Sequence, residues 1–236
     1  MFRLALAVTL TSGLASAAVL IDNFNTTQNL LASGVTNPVT DSSGVATAGT
    51  SIGDSRFASI TRTVGGGTAS LDINSPTAGV FSVSNNNGVV SDPFVLWDGG
   101  IDGTISPTGL TGPAADLTGG GANNALRFVS SVDLSGAAVT FRFYTGSLGQ
   151  FSEITQSLTG GGANLEYLLP FAAFTATGGG ADFANVGAIT MGITGPAGVD
   201  LQMDLVETTN SIPEPATLGL VGAALIGLAY IRRKTA

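Results

Sequence analysis

The alternation of apolar and polar residues predicts strands, and no helix, between residues 18 and 210. In Ala138–Tyr144, Val139, Phe141 and Phe143 face one way and Thr140, Arg142 and Tyr144 the other, the period of a half-buried strand. The same period marks Ala69–Ile73, Gly79–Ser84 and Val199–Glu207. In the last, Val199, Leu201, Met203 and Leu205 oppose Asp200, Gln202 and Asp204. Further strands are predicted at 18–24, 57–64, 89–97, 125–129, 151–158, 163–169 and 186–193. Thr26 to Asp54 and Asp98 to Gly121 lack the period and read as loop, and Pro170–Phe174 reads as a compact connector. Asn85-Asn86-Asn87-Gly88 predicts a hairpin turn into 89–97, because Asn and Gly tolerate positive φ. Pro93 points to an edge or a bulge in that return strand. Asp133–Gly136 reads as another turn. Many short strands with Gly, Asn and Pro between them specify an all-β fold, an antiparallel two-sheet sandwich or barrel.

The pattern breaks at both ends. Met1-Phe2-Arg3 is a short basic start, Leu4 to Leu10 is apolar, and Ala15-Ser16-Ala17 is a small-x-small site. Residues 1–17 therefore read as a signal peptide, with Ala15 and Ala17 marking the cut and Ala18 the first mature residue. At the other end, residues 211–236 begin Ser-Ile and continue with Pro213, Glu214 and Pro215. The two prolines stop regular structure there. Residues 216–231 are sixteen in a row without charge. As a transmembrane helix they would span roughly 24 Å, a little less than a hydrocarbon core of about 30 Å. Arg232, Arg233 and Lys234 then form a basic end that stays on the cytoplasmic side. Signal peptide and basic end agree in placing residues 18–210 outside the inner membrane, as a single exported domain. From the residues alone, 211–236 also fits an ordinary C-terminal anchor.

The order Pro213-Glu214-Pro215, apolar run 216–231 and basic cluster Arg232, Arg233, Lys234 resembles the PEP-CTERM sorting signal of exported bacterial proteins. The resemblance implies an exosortase-type membrane enzyme as partner. It also implies a passage through the inner membrane, and delivery to the cell surface or extracellular matrix of a Gram-negative bacterium.

Composition narrows the exported part. It holds four arginines, no lysine and fifteen acids, a net charge near −11. Such a surface repels nucleic acid and anionic lipid. There is no cysteine and no histidine anywhere in the 236 residues. That removes disulfides and thiol chemistry, the Ser-His-Asp and Cys-His pairs and His-rich metal sites. The only lysine, Lys234, lies in the tail, which removes a lysine Schiff base from the domain. The remaining catalytic route is a carboxylate pair, as in glycoside hydrolysis. Asp98 with Asp102, or Glu153 with Glu166, are the pairs to consider, although Asp in Gly-rich loops commonly stabilises turns. Sugar binding would need an aromatic face. Tyr144, beside Arg142 on the polar side of its strand, is one candidate. Trp97, ending a strand before Asp98-Gly99-Gly100, is another, or else a core residue.

Gly-Gly-Gly occurs at 65–67, 119–121, 160–162 and 178–180, and residues 117–123 and 158–164 are the same heptad, Leu-Thr-Gly-Gly-Gly-Ala-Asn. The irregular intervals exclude a solenoid and suggest flexible loops at equivalent ends of a sandwich. The last strand, ending at Glu207, suggests a tail hung from a sheet edge.

Leu20-Ile21-Asp22-Asn23-Phe24, Gly121 to Phe128, Asp133-Leu134-Ser135 and Asp182 to Ile189 together resemble the galactose-binding-like jelly rolls of carbohydrate-binding modules. That resemblance implies a jelly-roll-like sandwich, a structural calcium near the junction of first and last strands, where Asp22 and Asp204 would be ligands, and a sugar-binding face. The sum is an exported, non-catalytic surface or matrix component needing no cofactor beyond that calcium. One alternative is a carbohydrate-binding module for exopolysaccharide, and the second is a weak carboxylate-based glycosidase.

Overall fold

A computed structural model describes residues 18–211. The expected signal-peptide residues Ala15 and Ala17, the motif Pro213–Pro215, the apolar run 216–231 and the basic cluster Arg232–Lys234 lie outside the described residues.

Among the described residues fourteen strands follow one another: β1 Val19–Asp22, β2 Gln28–Ala32, β3 Val39–Ala46, β4 Ser55–Val64, β5 Ala69–Ile73, β6 Phe81–Asn85 and β7 Val90–Trp97, then β8 Ala125–Val132, β9 Ala138–Thr145, β10 Ser147–Ser157, β11 Leu165–Pro170, β12 Thr175–Thr177, β13 Ala188–Thr194 and β14 Asp200–Thr209. They form two sheets. The first runs β11-β8-β14-β6-β5-β2, with β1 also pairing β14; the second runs β12-β10-β9-β13-β7-β4-β3. All pairings between these strands are antiparallel. The expected two-sheet, jelly-roll-like sandwich is therefore the fold.

The inner faces are the apolar positions of the alternation. Leu71, Phe81, Phe128, Leu201 and Met203 from the first sheet meet Ile60, Val95, Phe141, Phe143 and Met191 from the second, all buried. Each such side chain stabilises the fold by roughly 2 kcal/mol through burial. At one side of the sandwich the β2 and β3 edges are stitched by side chains. The Leu31 amide donates to Asp41 Oδ2 at 2.8 Å, and Gln28 Nε2 donates to the Ser43 carbonyl at 2.7 Å.

Four expectations fail for physical reasons. The supposed loop 26–54 contains β2 and β3. β3 is an edge strand of half-exposed, mostly polar residues, so its eight-residue pairing with β4 is set by backbone bonds and leaves no apolar period. The turn at Asn85–Gly88 does not close a hairpin: β6 pairs β5 and β14, whereas β7 pairs β4 and β13 in the other sheet. Turn chemistry fixes a reversal of the chain and leaves open which sheet receives it. Pro93 sits in the interior strand β7, one residue beyond the last β13 pair, Gly192↔Phe94. The tail leaves from β14, an interior strand, and not from an edge.

The two heptads also lie at opposite ends, since 117–123 precedes β8, whose first residue pairs Thr209, and Gly160 bridges Val132 at the end of β8.

Candidate functional site

The aromatic candidates are not a sugar platform. Trp97 is fully buried, and its indole Nε1 donates to Asp22 Oδ2 at 2.7 Å. Tyr144 is only 4% exposed. It packs with Leu96 and Ala188 against Phe57, Phe94, Ile105 and Phe151 on the outer face of the second sheet. The loop 98–110 covers that face. Pro107 lies so close to Gly187 that a Cβ there would overlap the Pro107 carbonyl, and Ile101 presses likewise on Gly44. The loop holds its shape through Asp98, whose Oδ1 accepts from the Gly100 amide at 2.9 Å and Oδ2 from the Ser106 amide at 2.8 Å. Arg142 is partly exposed, but its guanidinium is engaged. It donates to Glu153 Oε2 at 2.6 and 2.9 Å and to the Tyr144 hydroxyl at 3.2 Å, 4.3 Å from the centre of the Phe151 ring.

The calcium pair separates as well. Asp22 is fully buried. Its Oδ1 accepts from the Phe24 amide at 2.7 Å, and its Oδ2 accepts from Arg56 Nη1 at 2.8 Å as well as from Trp97. Burial pushes this carboxyl above the ordinary range, against the opposing pull of Arg56, Trp97 and the Phe24 amide. Arg56, equally buried, also donates to Gln28 Oε1 at 3.1 Å and the Thr26 carbonyl at 2.7 Å. The group is an internal tie between β1, β4 and β7. Asp204 projects outward from β14 and is exposed, so the two carboxylates share no site. Among the described residues no three His, Cys, Asp or Glu side chains converge as a metal site would require.

The other acids weighed for catalysis are engaged one by one. Asp102 accepts from the Thr104 amide at 2.9 Å. Glu166 and Glu207 meet Arg127 at 3.2 and 2.6 Å. Glu153 and Glu166 belong to different sheets, on β10 and β11. The fourth arginine, Arg62, is buried and donates to Asn37 Oδ1 at 2.8 Å and to the carbonyls of Gly34, Thr36 and Gly67. All four arginines of the domain are thus committed to the fold.

Two features stand apart. One is a groove of about 400 Å³ on the outer face of the first sheet. Strand register builds it. Asn29, Asp72, Ser82, Gln202 and Ser131 are successive cross-strand partners over β2, β5, β6, β14 and β8. A second row, Ser70, Ser84 and Asp200, runs beside it and is extended by Asp133, whose Oδ1 accepts from the Asp200 amide at 2.8 Å. These residues occupy the polar positions of the alternation. Their convergence was invisible because the pattern fixes which face of its strand a residue takes and does not say which distant strand is its neighbour.

The other feature is the exit of the tail. The Asn124 amide donates to the Thr209 carbonyl at 3.0 Å, and Asn124 Oδ1 accepts from both the amide and the hydroxyl of Ser211 at 2.7 Å. Ser211 is therefore pinned at the end of β14. β1 joins the same end, with Val19 opposite Thr208. Both ends of the domain leave at one pole of the sandwich.

A family model for the PEP-CTERM protein-sorting motif matches residues 211–234. The chain carries a PEP-CTERM sorting signal. The matched segment begins at the pinned Ser211, so the PEP-CTERM signal starts where the sandwich stops. A comparison with curated proteins finds no match. Among solved structures, the family 11 carbohydrate-binding module of the cellulosomal cellulase Lic26A-Cel5E of Clostridium thermocellum is 9% identical, with 85% of this chain and 98% of that chain covered and a TM-score of 0.43. The CBM22-1–GH10 modules of xylanase 10B from Clostridium thermocellum follow at 14% identity, 84% and 28% coverage and a TM-score of 0.32. The enzymatically active domain of tailspike protein 4 of bacteriophage CBA120 gives 11%, 80%, 20% and 0.33.

Proposed function

We propose that the protein is a non-catalytic component of the cell surface or extracellular matrix, folded as a sandwich outside the inner membrane and released or transferred when an exosortase-type membrane enzyme removes its tail. The observation that carries this reading is the junction at Ser211. The last side-chain bonds of the domain fall on the first residue of the matched signal, and Pro213–Pro215 lie two to four residues on, about 14 Å of chain at most. A processing enzyme at the membrane can therefore cut without unravelling β14. The reading calls for no cofactor and no nucleic acid, in keeping with a domain whose few cations are held inside or in ion pairs.

Intact mass spectrometry of the protein from its native host tests it. The expected species begins at Ala18 and ends near residues 213–215. Retention of Arg232–Ala236 in the surface form would leave a plain membrane anchor and overturn the sorting reading.

A further inference from the structure

We propose that Asn87, in the turn between β6 and β7, is a site of spontaneous covalent modification, where the asparagine closes to a succinimide and opens to isoaspartate. The reaction is fastest where glycine follows, because a residue without a Cβ leaves the attacking amide nitrogen uncrowded. Three steps of the sequence place an acid or its amide before glycine: Asn87-Gly88, Asp98-Gly99 and Asp102-Gly103. The structure separates them.

In two of the three the carboxylate is held. Asp98 is buried, and its two oxygens accept from the amides of Gly100 and Ser106 at 2.9 and 2.8 Å. Asp102 Oδ1 accepts from the Thr104 amide at 2.9 Å, and Gly103 lies so close to the Phe57 ring that a Cβ there would stand 2.6 Å from it. Turning either carboxyl carbon onto the following amide would break these bonds. Asn87 is not held. It and Gly88 are exposed. Among the described residues neither the Asn87 side chain nor the Gly88 amide has a hydrogen-bond partner. A Cβ on Gly88 would meet nothing within 4 Å, so the space around the nitrogen is open. Gly88 takes a left-handed φ of 80°, and the Val89 amide donates to the Asn86 carbonyl at 2.9 Å, as in a type II turn. That bond opposes the rotation that brings the Gly88 nitrogen to the Asn87 side chain, and exposed turns open at small free-energy cost. The neighbouring Asn85 is buried, with its Oδ1 accepting from the Ser91 hydroxyl at 2.7 Å.

The step balances with water as the one co-reactant. The Gly88 nitrogen attacks Asn87 Cγ, the N–Cγ bond forms and the Cγ–Nδ2 bond breaks. Ammonia leaves with the proton of the Gly88 amide. Water then opens the ring at the side-chain carbonyl, giving aspartate, or at the main-chain carbonyl, giving isoaspartate with one more methylene in the backbone. Both products add a carboxylate to an already acidic domain. Isoaspartate also lengthens the turn where it packs on the loop before β14. There the Gly198 amide donates to the Val89 carbonyl at 2.8 Å, and a Cβ on Gly198 would lie 3.5 Å from Asn87 Cα. The turn adjoins the Asp200 end of β14, whereas the tail leaves beyond Thr209 at the other end. The inference therefore goes beyond the sorting reading and does not depend on it.

The test is to age the folded full chain in mildly alkaline buffer, then unfold it and cleave it at arginine. The peptide Thr63–Arg127 contains all three steps, and mass spectrometry with fragmentation that distinguishes isoaspartate from aspartate reads each position. Isoaspartate is expected at Asn87, ahead of every other asparagine of the peptide, and at neither Asp98 nor Asp102. Gly88→Ala should slow the conversion by about tenfold, because its Cβ crowds the attacking nitrogen. Ageing the wild-type chain unfolded in urea should bring isoaspartate to Asp98 and Asp102 as well, since their restraining bonds are then gone. Absence of isoaspartate at Asn87 in the folded chain, conversion at Asn86 or Asn124 as fast as at Asn87, or isoaspartate at Asp98 or Asp102 before unfolding would each overturn the assignment.

Discussion

Residues 117–123 and 158–164 spell the same seven letters and fold differently. In the first, Gly119, Gly120 and Gly121 all take left-handed φ values of 55°, 72° and 89°. Asp116 caps this turn, accepting from the Thr118 hydroxyl at 2.6 Å and from the amides of Thr118 and Gly120 at 2.9 and 2.8 Å. Asn123 ends it inside the protein, 3% exposed, and donates to the Thr208 hydroxyl at 3.2 Å. In the second, Ser157 stands where Asp116 did. Gly160, the counterpart of Gly119, has no left-handed φ, bridges Val132 and lies against the backbone of Leu134 and Ser135. The amides of Gly161 and Gly162 donate to the carbonyls of Asp133 and Val132 at 3.1 and 2.8 Å, and Asn164 is exposed. One heptad curls on itself and anchors to β14, while the other leans on the turn after β8. Glycine-rich sequence supplies the freedom, and the neighbours choose the conformation.

The sharpest way to break this contrast is at the first glycine. Gly160→Ala forces a Cβ into the Ser135 amide and should lower stability by about 3 kcal/mol. Gly119→Ala meets only a left-handed backbone and the end of the Asn123 side chain, and should cost about 1 kcal/mol. Urea unfolding of the two variants decides, and equal losses would mean the loops share one constraint.

Next comes the last residue of each heptad. Asn123→Ala strips a buried partner from Thr208 and should cost about 2 kcal/mol. Asn164→Ala, at an exposed position, should stay within about 0.5 kcal/mol of wild type. A comparable loss in both would give Asn164 a role that its exposure does not suggest.

The smallest effect is acid sensitivity. Hydrogen bonds from the Thr118 hydroxyl and then the Gly120 amide hold the Asp116 carboxyl below its ordinary value of 3.8. Its stabilisation is present above the unfolded value and fades as pH falls through the lowered one. Asp116→Asn should therefore flatten the fall of melting temperature below about pH 4. Ser157→Asp should leave that fall unchanged, because Gly160 does not offer the turn that Asp116 caps. Should the Asn variant keep the wild-type acid slope, the capping account is wrong.

The same division runs through the whole molecule. Strands with a buried face, such as β9 and β14, were legible because the hydrophobic effect writes a period of two into them. β3 was not, because an edge strand of polar residues is held by backbone bonds that leave no mark on side-chain choice. The chemistry of the candidate patch was legible as residue types and misleading as a place. Trp97 and Tyr144 are large aromatic side chains at strand ends. One is drawn into the core by Asp22, and the other is roofed by the loop 98–110. The groove residues were visible only as unremarkable serines, acids and a glutamine.

Sequence by itself determined the sorting signal at the C-terminal end and the class of the fold. It also determined the chemistry missing from the domain, because signal patterns, apolar periodicity and residue inventories are local properties. Tertiary structure decided what depends on register and on contacts distant in the chain. It set Asp22 against Arg56 and Trp97, lined up Asp72, Ser82, Gln202 and Ser131 in one row, and pinned Ser211 with Asn124. Pairing between strands many residues apart follows from the energy of the whole sandwich, and no window of the chain contains it.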